Sequence, residues 1–428
     1  MQKKVIVIGG GFAGLTATAY LANNKYKVTL LEASPKLGGR AYSFLDKETN
    51  SILDNGQHIL MGCYNFTLDF LSLINANDNF NFQKRLEVNF VKEGFRIFPL
   101  KSFPFVYPIN LLLGLLRFEA ISFSDRLNLL KVFFILPFLA SDKFSGLTIK
   151  AWLEKEKQSQ SVQDAFWRIL AVGALNTSLE KASAKIFINI LKQIFLKGSK
   201  AATIVLPKYG LSESYCSNAE EYIVRNGGEI NLSEPIEKII TFYDRITELH
   251  SSKKVYSDFD FVISAIPPFA LTRVIGKESK IFFPDFKYSS ILNIHLWIKK
   301  NVFPDGFFGL INSPLHWVFN KGTHLNIVIS DADELVNKSD EDLLAMVKNE
   351  TQKFFLLDSE LISGYKIIKE KRATFIPSSD ILNKRPAQKT YLSNLILAGD
   401  WVDTGLPSTI ESAVKSGRIA ADLLMSQN

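Results

Sequence analysis

Residues 5–40, VIVIGGGFAGLTATAYLANNKYKVTLLEASPKLGGR, constrain the fold of this chain more than any other stretch. Val5-Ile6-Val7-Ile8 is short, apolar and β-branched, as expected of a strand covered on both faces of a parallel sheet. Gly9, Gly11 and Gly14 follow in G-x-G-x-x-G spacing, with Phe12 and Ala13 inside the motif. The first glycine permits a sharp turn. The second lets backbone N–H groups approach a pyrophosphate, and the third lets the next helix pack against the strand. That helix turns its positive N-terminus toward the phosphates. Val28 to Leu31 reads as the second strand, closed by Glu32 and Ala33. Glu32 stands 18 residues beyond Gly14, where a carboxylate accepts from ribose hydroxyls. A glycine turn alone is weak evidence, but strand, helix and acid in this order specify a dinucleotide site.

A chain of 428 residues has room for two domains, or for one large domain with another inserted. Hydrophobic residues at 47% and aromatics at 12% exclude a disordered chain. The net charge of +7 comes without a long basic block, which argues against nucleic acid as a partner and leaves an anionic lipid surface open. Cys63 and Cys216 are too few for a disulfide framework or a metal cluster and fit a reducing cytoplasm. The five histidines are dispersed, so no metal site is expected. Lys3-Lys4 leads into only four strand residues before the glycines, so no signal peptide is read there.

Gly38-Gly39-Arg40 forms a second glycine turn, and Arg40 is either a surface residue or a bidentate phosphate ligand. A hairpin-like region follows and ends in the polar turn Asp54-Asn55-Gly56-Gln57-His58, where Gly56 permits close backbone approach to a ring system. Residues 66–200, rich in Leu, Phe and Ile, read as a mainly helical insertion. Within it FPFVYPINLLLGLL, from Phe103, falls short of the roughly 20 residues of a membrane span. The apolar zone 103–140 is therefore either a buried helical core or an amphipathic surface that dips into a bilayer. From about 200 the pattern returns to α/β, and Asp260 to Ala265 reads as another buried strand of the nucleotide domain. A β-rich zone from 271 to 385 reads as a second sheet flooring a pocket. Asn394 to Leu397 is a final strand ending at Gly399-Asp400, followed by a turn into a helix. Asp400 is either a helix cap or an acceptor for a polyol chain.

Three motifs, GGGFAGL with Glu32, LGGRAYS and LAGDWVDTGLPSTIESAVKSG, make the chain resemble the FAD-dependent amine oxidase and phytoene desaturase superfamily over nearly its whole length. LDNGQHILMGCY and SPLHWVF, together with GDWVDTGLPSTIE, look like the squalene-associated desaturase subgroup, the hydroxysqualene dehydroxylases of bacterial hopanoid pathways. The resemblance implies an α/β, two-domain FAD-binding Rossmann-type fold with an inserted substrate domain of mixed sheet plus helices. It divides the chain into a discontinuous FAD-binding domain (1–70, 201–270 and 386–428) and a substrate domain (71–200 and 271–385) carrying the possibly membrane-facing region 103–140. FAD would lie extended, with adenosine at Glu32 and Ala33 and pyrophosphate at Gly9 to Gly14, Gly39 and Arg40. Its ribityl chain would meet Gly399 and Asp400, and the ring edge Thr409 and Ile410. The backbone of Ile236 would contact the adenine.

The flavin carries the chemistry and the protein orients it. Amine-oxidising relatives commonly place an aromatic residue just before the position of Ile410, whereas this chain has Thr409 there and Ser412 for a family glycine. That departure shifts the expected substrate from an amine to an apolar isoprenoid. The implied reaction is the reductive dehydroxylation of hydroxysqualene to squalene, fed by an unidentified electron donor. Asp54 and His58 are the catalytic candidates, against the alternative that they only fix a turn. Trp317 and Leu406 are expected in the substrate pocket. A carotenoid-type desaturase running the flavin oxidatively is the second reading, and a non-catalytic prenyl-lipid escort the third. The expected location is cytoplasmic, peripheral on the inner face of the cytoplasmic membrane.

Overall fold

The strand Lys4–Ile8 lies at the centre of a five-stranded parallel sheet in the order Glu229–Asn231, Lys27–Leu31, Lys4–Ile8, Phe261–Ser264, Leu395–Leu397. Its side chains are covered on both faces, which is why the run carries no polar alternation. The computed structural model describes residues 2–276, 279–301 and 303–426. Helix Phe12–Asn23 packs on the central strand, and a Cβ at Gly14 would stand 1.8 Å from the Gly9 carbonyl oxygen. The final helix, Ile410–Met425, crosses the first at equally short range: a Cβ at Gly417 would meet the Ala13 carbonyl oxygen at 2.2 Å.

A seven-stranded sheet forms the second layer, in the order Ile362–Phe375, Tyr288–Ile298, His324–Ile329, Trp317–Asn320, Gly306–Leu310, Glu87–Lys92, Arg96–Lys101. Its strands alternate between two cores. Val318, Ile327 and Ile329 point to one face, under helix Asp340–Phe355, while Phe319 and Val328 point to the other, under the helical insertion. The insertion itself is held by a cluster of aromatics around the fully buried Trp152 and Trp167, with Phe133 stacked on Trp167.

The stretch from 66 to 200 is mainly helical, as expected, but it also carries three strands that its composition did not suggest. Phe80–Phe82, Glu87–Lys92 and Arg96–Lys101 are strands, and the last two complete the second sheet. Val88 and Phe90 alternate with polar neighbours ahead of a turn through Gly94 and Phe95, both at positive φ. The period marked strands where the Leu and Phe content suggested helix. The zone 103–140 is partly buried and partly exposed. Leu111, Leu115, Leu129 and Phe133 are buried, while Phe105, Val106, Phe123, Phe134 and Phe138 are exposed. No helix of the described residues is long and apolar enough to cross a membrane.

Candidate active site

The two glycine turns meet edge to edge at the carboxyl end of the parallel sheet. Gly11 and Gly38 form a parallel bridge, the Gly38 N–H donates to the Gly10 carbonyl oxygen (2.9 Å), and a Cβ at Gly39 would lie 3.0 Å from the Gly11 Cα. Side chains have no room here, so the backbone itself walls the site at the N-terminus of helix Phe12–Asn23. The carboxylate of Glu32 closes one end, accepting from the N–H groups of Gly10 (2.5 Å) and Ser34 (2.7 Å).

Arg40 reaches across to the last strand of the chain. Its guanidinium donates to the Ala373 carbonyl (3.0 Å) and pairs with Asp400, which also accepts from the Ser408 hydroxyl. Burial pushes the Asp400 carboxyl up, but Arg40, Ser408 and Arg385 outweigh it and hold the group ionised, below its ordinary range. Beneath Asp400 lies a residue that the sequence did not single out. The buried Arg385 donates to the carbonyls of Asp400 (2.9 Å), Trp401 (3.4 Å), Val402 and Leu406, and to the Thr404 hydroxyl (3.2 Å). Burial lowers its pKa to about 10. One guanidinium thus sets the path of the loop 400–406 that enters helix Ile410–Met425. Thr409 caps that helix by accepting from the Ser412 N–H (3.2 Å).

The turn after the hairpin Ser43–Asp46/Ser51–Asp54 is fixed from outside. Asn293 of strand Tyr288–Ile298 donates to the Asn55 carbonyl (3.1 Å) and accepts from the Gln57 N–H (3.3 Å). Next along that face, His295 Nε2 meets the Asp54 carbonyl at 3.3 Å, and its Nδ1 meets His324 Nε2 at 3.0 Å. Burial lowers the pKa of His295 to about 3 and of His324 to about 4, so both rings are neutral near pH 7. Their two contacts then require Nε2–H tautomers on both.

Asp54, one of the two catalytic candidates, faces away from the cavity. Its carboxylate accepts from the Ser43 hydroxyl (2.8 Å) and from the Leu211 N–H at the start of helix Leu211–Arg225 (2.8 Å), the turn-fixing role weighed above. His58 does line the cavity, and burial lowers its pKa, leaving a neutral ring. Gln57 Oε1 and His58 Nε2 are buried and have no hydrogen-bond partner among the described residues.

The two glycine turns, the turn 55–58 and the start of helix Ile410–Met425 border one cavity of about 610 Å³. Gly9, Gly11, Phe12, Ala13, Glu32, Gly39 and Arg40 line one end; Gly56, Gly399, Asp400, Thr409 and Ile410 line the middle. Beyond the turn the walls become apolar, with Val88, Phe90, Phe166, Ile194, Trp317 and Leu406 among them. Besides Asp54, three expected residues lie off the cavity lining. Gly14 sits under the first turn, Ala33 is exposed, and Ile236 is buried between the parallel sheet and the small sheet that begins with Ile236–Phe242. A side-chain-free cradle, an acid at one end, a cation at the crossing point and a second helix N-terminus in the middle fit an extended dinucleotide.

A parallel sheet whose glycine turn opens into a cavity floored by a second sheet is the build of a two-domain, FAD-dependent oxidoreductase. The family model for flavin containing amine oxidoreductase matches residues 12–425, and the chain belongs to that family. It is an enzyme, and its cofactor is FAD. Hydroxysqualene dehydroxylase of Zymomonas mobilis is 29% identical, with 99% of each chain covered. The 15-cis-phytoene desaturase of Glycine max is 22% identical over 98% of this chain and 79% of that one. An oxidoreductase from Methanosarcina mazei has the same fold, with a TM-score of 0.76 at 16% identity, covering 98% of this chain and all of that one.

Proposed function

We propose that this enzyme reduces an allylic C30 alcohol, hydroxysqualene, to squalene. The similarity to hydroxysqualene dehydroxylases from end to end carries this reading, and an apolar cavity continuous with the dinucleotide cradle supports it. In the reaction the alcohol carbon gains a hydride, the C–O bond breaks, and the oxygen leaves with a proton as water. Reduced FAD supplies the hydride, and an electron donor of unassigned identity supplies its electrons. The protein's share is positional. The glycine turns and Glu32 hold the dinucleotide, the Arg40–Asp400 pair borders its ribityl segment, and Phe90, Phe166 and Trp317 keep water from the reacting carbon. His58, neutral, is one of the polar residues lining the cavity, while Asp54 supports the turn that carries it.

Mass analysis of products from hydroxysqualene under anaerobic, reducing conditions is expected to show squalene. Dehydrogenated product from phytoene with none from the alcohol would instead establish the desaturase reading, which the similarity to plant desaturases favours. A colourless protein as purified would favour the lipid escort.

We also place the enzyme peripherally on the inner face of the cytoplasmic membrane. Phe105, Val106, Phe134 and Phe138 present a large exposed apolar surface, flanked by the exposed Arg117, Lys131 and Lys143. Tyr107, next in the chain to Val106, donates to the carbonyl of the cavity-lining Phe195 (2.8 Å), which brings this end of the exposed segment beside the cavity wall. Flotation with anionic liposomes is expected for the native enzyme and should fall at least tenfold in Phe105→Glu/Phe138→Glu. Equal flotation of the two would remove this surface from consideration. Leu112, half-buried against the helical core, is unsuitable for such a test because its replacement would perturb packing.

A further inference from the structure

Two consecutive residues of one turn that lines the cavity, Gln57 and His58, carry buried side-chain polar atoms, Oε1 and Nε2, and neither atom has a hydrogen-bond partner among the described residues. Such atoms are rare in folded proteins because each loses its hydration without compensation. Their neighbours show that the arrangement is held in place. Asn293 grips the turn at the Asn55 carbonyl and the Gln57 N–H. The side chain of Asn55 ties the other flank to the Tyr42 N–H and the Arg40 carbonyl (3.0 and 2.9 Å). A Cβ at Gly56 would come within 3.3 Å of Asn293 Nδ2 and 3.4 Å of His58 Nε2, so the turn sits flush against the second sheet.

We infer that Gln57 Oε1 and His58 Nε2 form a recognition pair for the substrate's hydroxyl group and select an alcohol over the corresponding hydrocarbon. The chemistry is complementary. The hydroxyl hydrogen donates to the Gln57 carbonyl oxygen, and the hydroxyl oxygen accepts from the Nε2–H of the neutral His58 ring. Each protein atom gains its missing partner, and the C–O bond that must break is fixed at the polar turn while the hydrocarbon chain runs along the apolar wall. A hydrocarbon leaves both atoms unpaired, the situation in which a site built for a hydroxyl discriminates most strongly. The same asymmetry favours release of the product, which has lost the group that the pair holds. The inference rests on the alcohol-reduction reading and adds to it the residues that recognise the oxygen.

Binding can be measured without turnover by titrating the oxidised, FAD-loaded enzyme with hydroxysqualene or with squalene in the same detergent, following the flavin absorbance. The native enzyme is expected to bind the alcohol at least tenfold more tightly. Gln57→Leu should bring that ratio close to one, mainly by weakening the alcohol, with squalene bound as well as before or better. Gln57→Glu, which keeps an acceptor at the same reach, should retain most of the preference. The bound-flavin spectrum and melting temperature report whether each variant is folded. A native ratio near one overturns the inference whatever the variants do, and so does a Gln57→Leu enzyme that weakens both ligands alike. A shifted flavin spectrum with an unchanged ratio would assign the Gln57 carbonyl to the cofactor ring and also overturn it. A native enzyme that reduces hydroxysqualene yet binds both ligands equally defeats this inference alone. One that neither binds nor reduces the alcohol defeats the functional reading with it.

Discussion

Gly14→Val is expected to give a protein that purifies without flavin colour. The Cβ would fall 1.8 Å from the Gly9 carbonyl oxygen, far inside any real contact, and that atom belongs to the turn itself. Relief requires either the helix Phe12–Asn23 to lift from the strand Lys4–Ile8 or the turn to open. Either movement takes Gly11 out of its bridge with Gly38 and removes the backbone wall of the cradle. Strand pairing in the parallel sheet is not touched by the substitution, so far-ultraviolet circular dichroism should change little while absorbance near 450 nm, typical of a bound flavin, falls by roughly an order of magnitude or more. Retention of a full flavin complement in this variant would show that the turn is not the phosphate cradle.

Arg385→Leu is expected to cost about 3–5 kcal/mol of stability, read from urea denaturation, because several buried acceptors lose their donor at once and each such loss costs about 1–3 kcal/mol. Leucine fills part of the volume but donates nothing, so the carbonyls of Asp400, Trp401, Val402 and Leu406 lose their shared donor in a buried setting. The loss of its nearby positive charge also removes one of the influences that keep Asp400 ionised, and weaker FAD retention should accompany the drop in stability. Arg385→Lys should recover only part of it, because a single ammonium has three donors and no planar fork. A loss below about 1 kcal/mol for the leucine variant would mean that the loop finds other donors.

The parts of this enzyme that were legible in its sequence are those where geometry leaves only one residue type. Gly9, Gly14, Gly38 and Gly39 stand where a Cβ collides or φ is positive, and Glu32 follows from the length of one strand–helix–strand unit. The buried strands announce themselves through unbroken apolar runs. Arg385 and Asn293 were invisible for a physical reason. Their partners are backbone carbonyls and N–H groups, which every residue carries, so nothing in the partner sequence marks the contact. Asp54 illustrates the opposite case. Its residue type suited catalysis as well as capping, and only the position of the Leu211 N–H decides which way the carboxylate turns. The strands Glu87–Lys92 and Arg96–Lys101 were written in the sequence but in a zone whose composition favoured another reading.

The pairing of Arg40 with Asp400 and of Phe261–Ser264 with Leu395–Leu397 bears on how the enzyme is made. The glycine turns precede, by more than 350 residues, the strand Leu395–Leu397 and the helix Ile410–Met425 that complete their surroundings. Until these are made the half-built cavity exposes its apolar walls, and contacts this distant along the chain form slowly. A nascent chain therefore gains its grip on FAD only after the strand Leu395–Leu397 and the helix Ile410–Met425 have been made, and cofactor capture is a late event of folding.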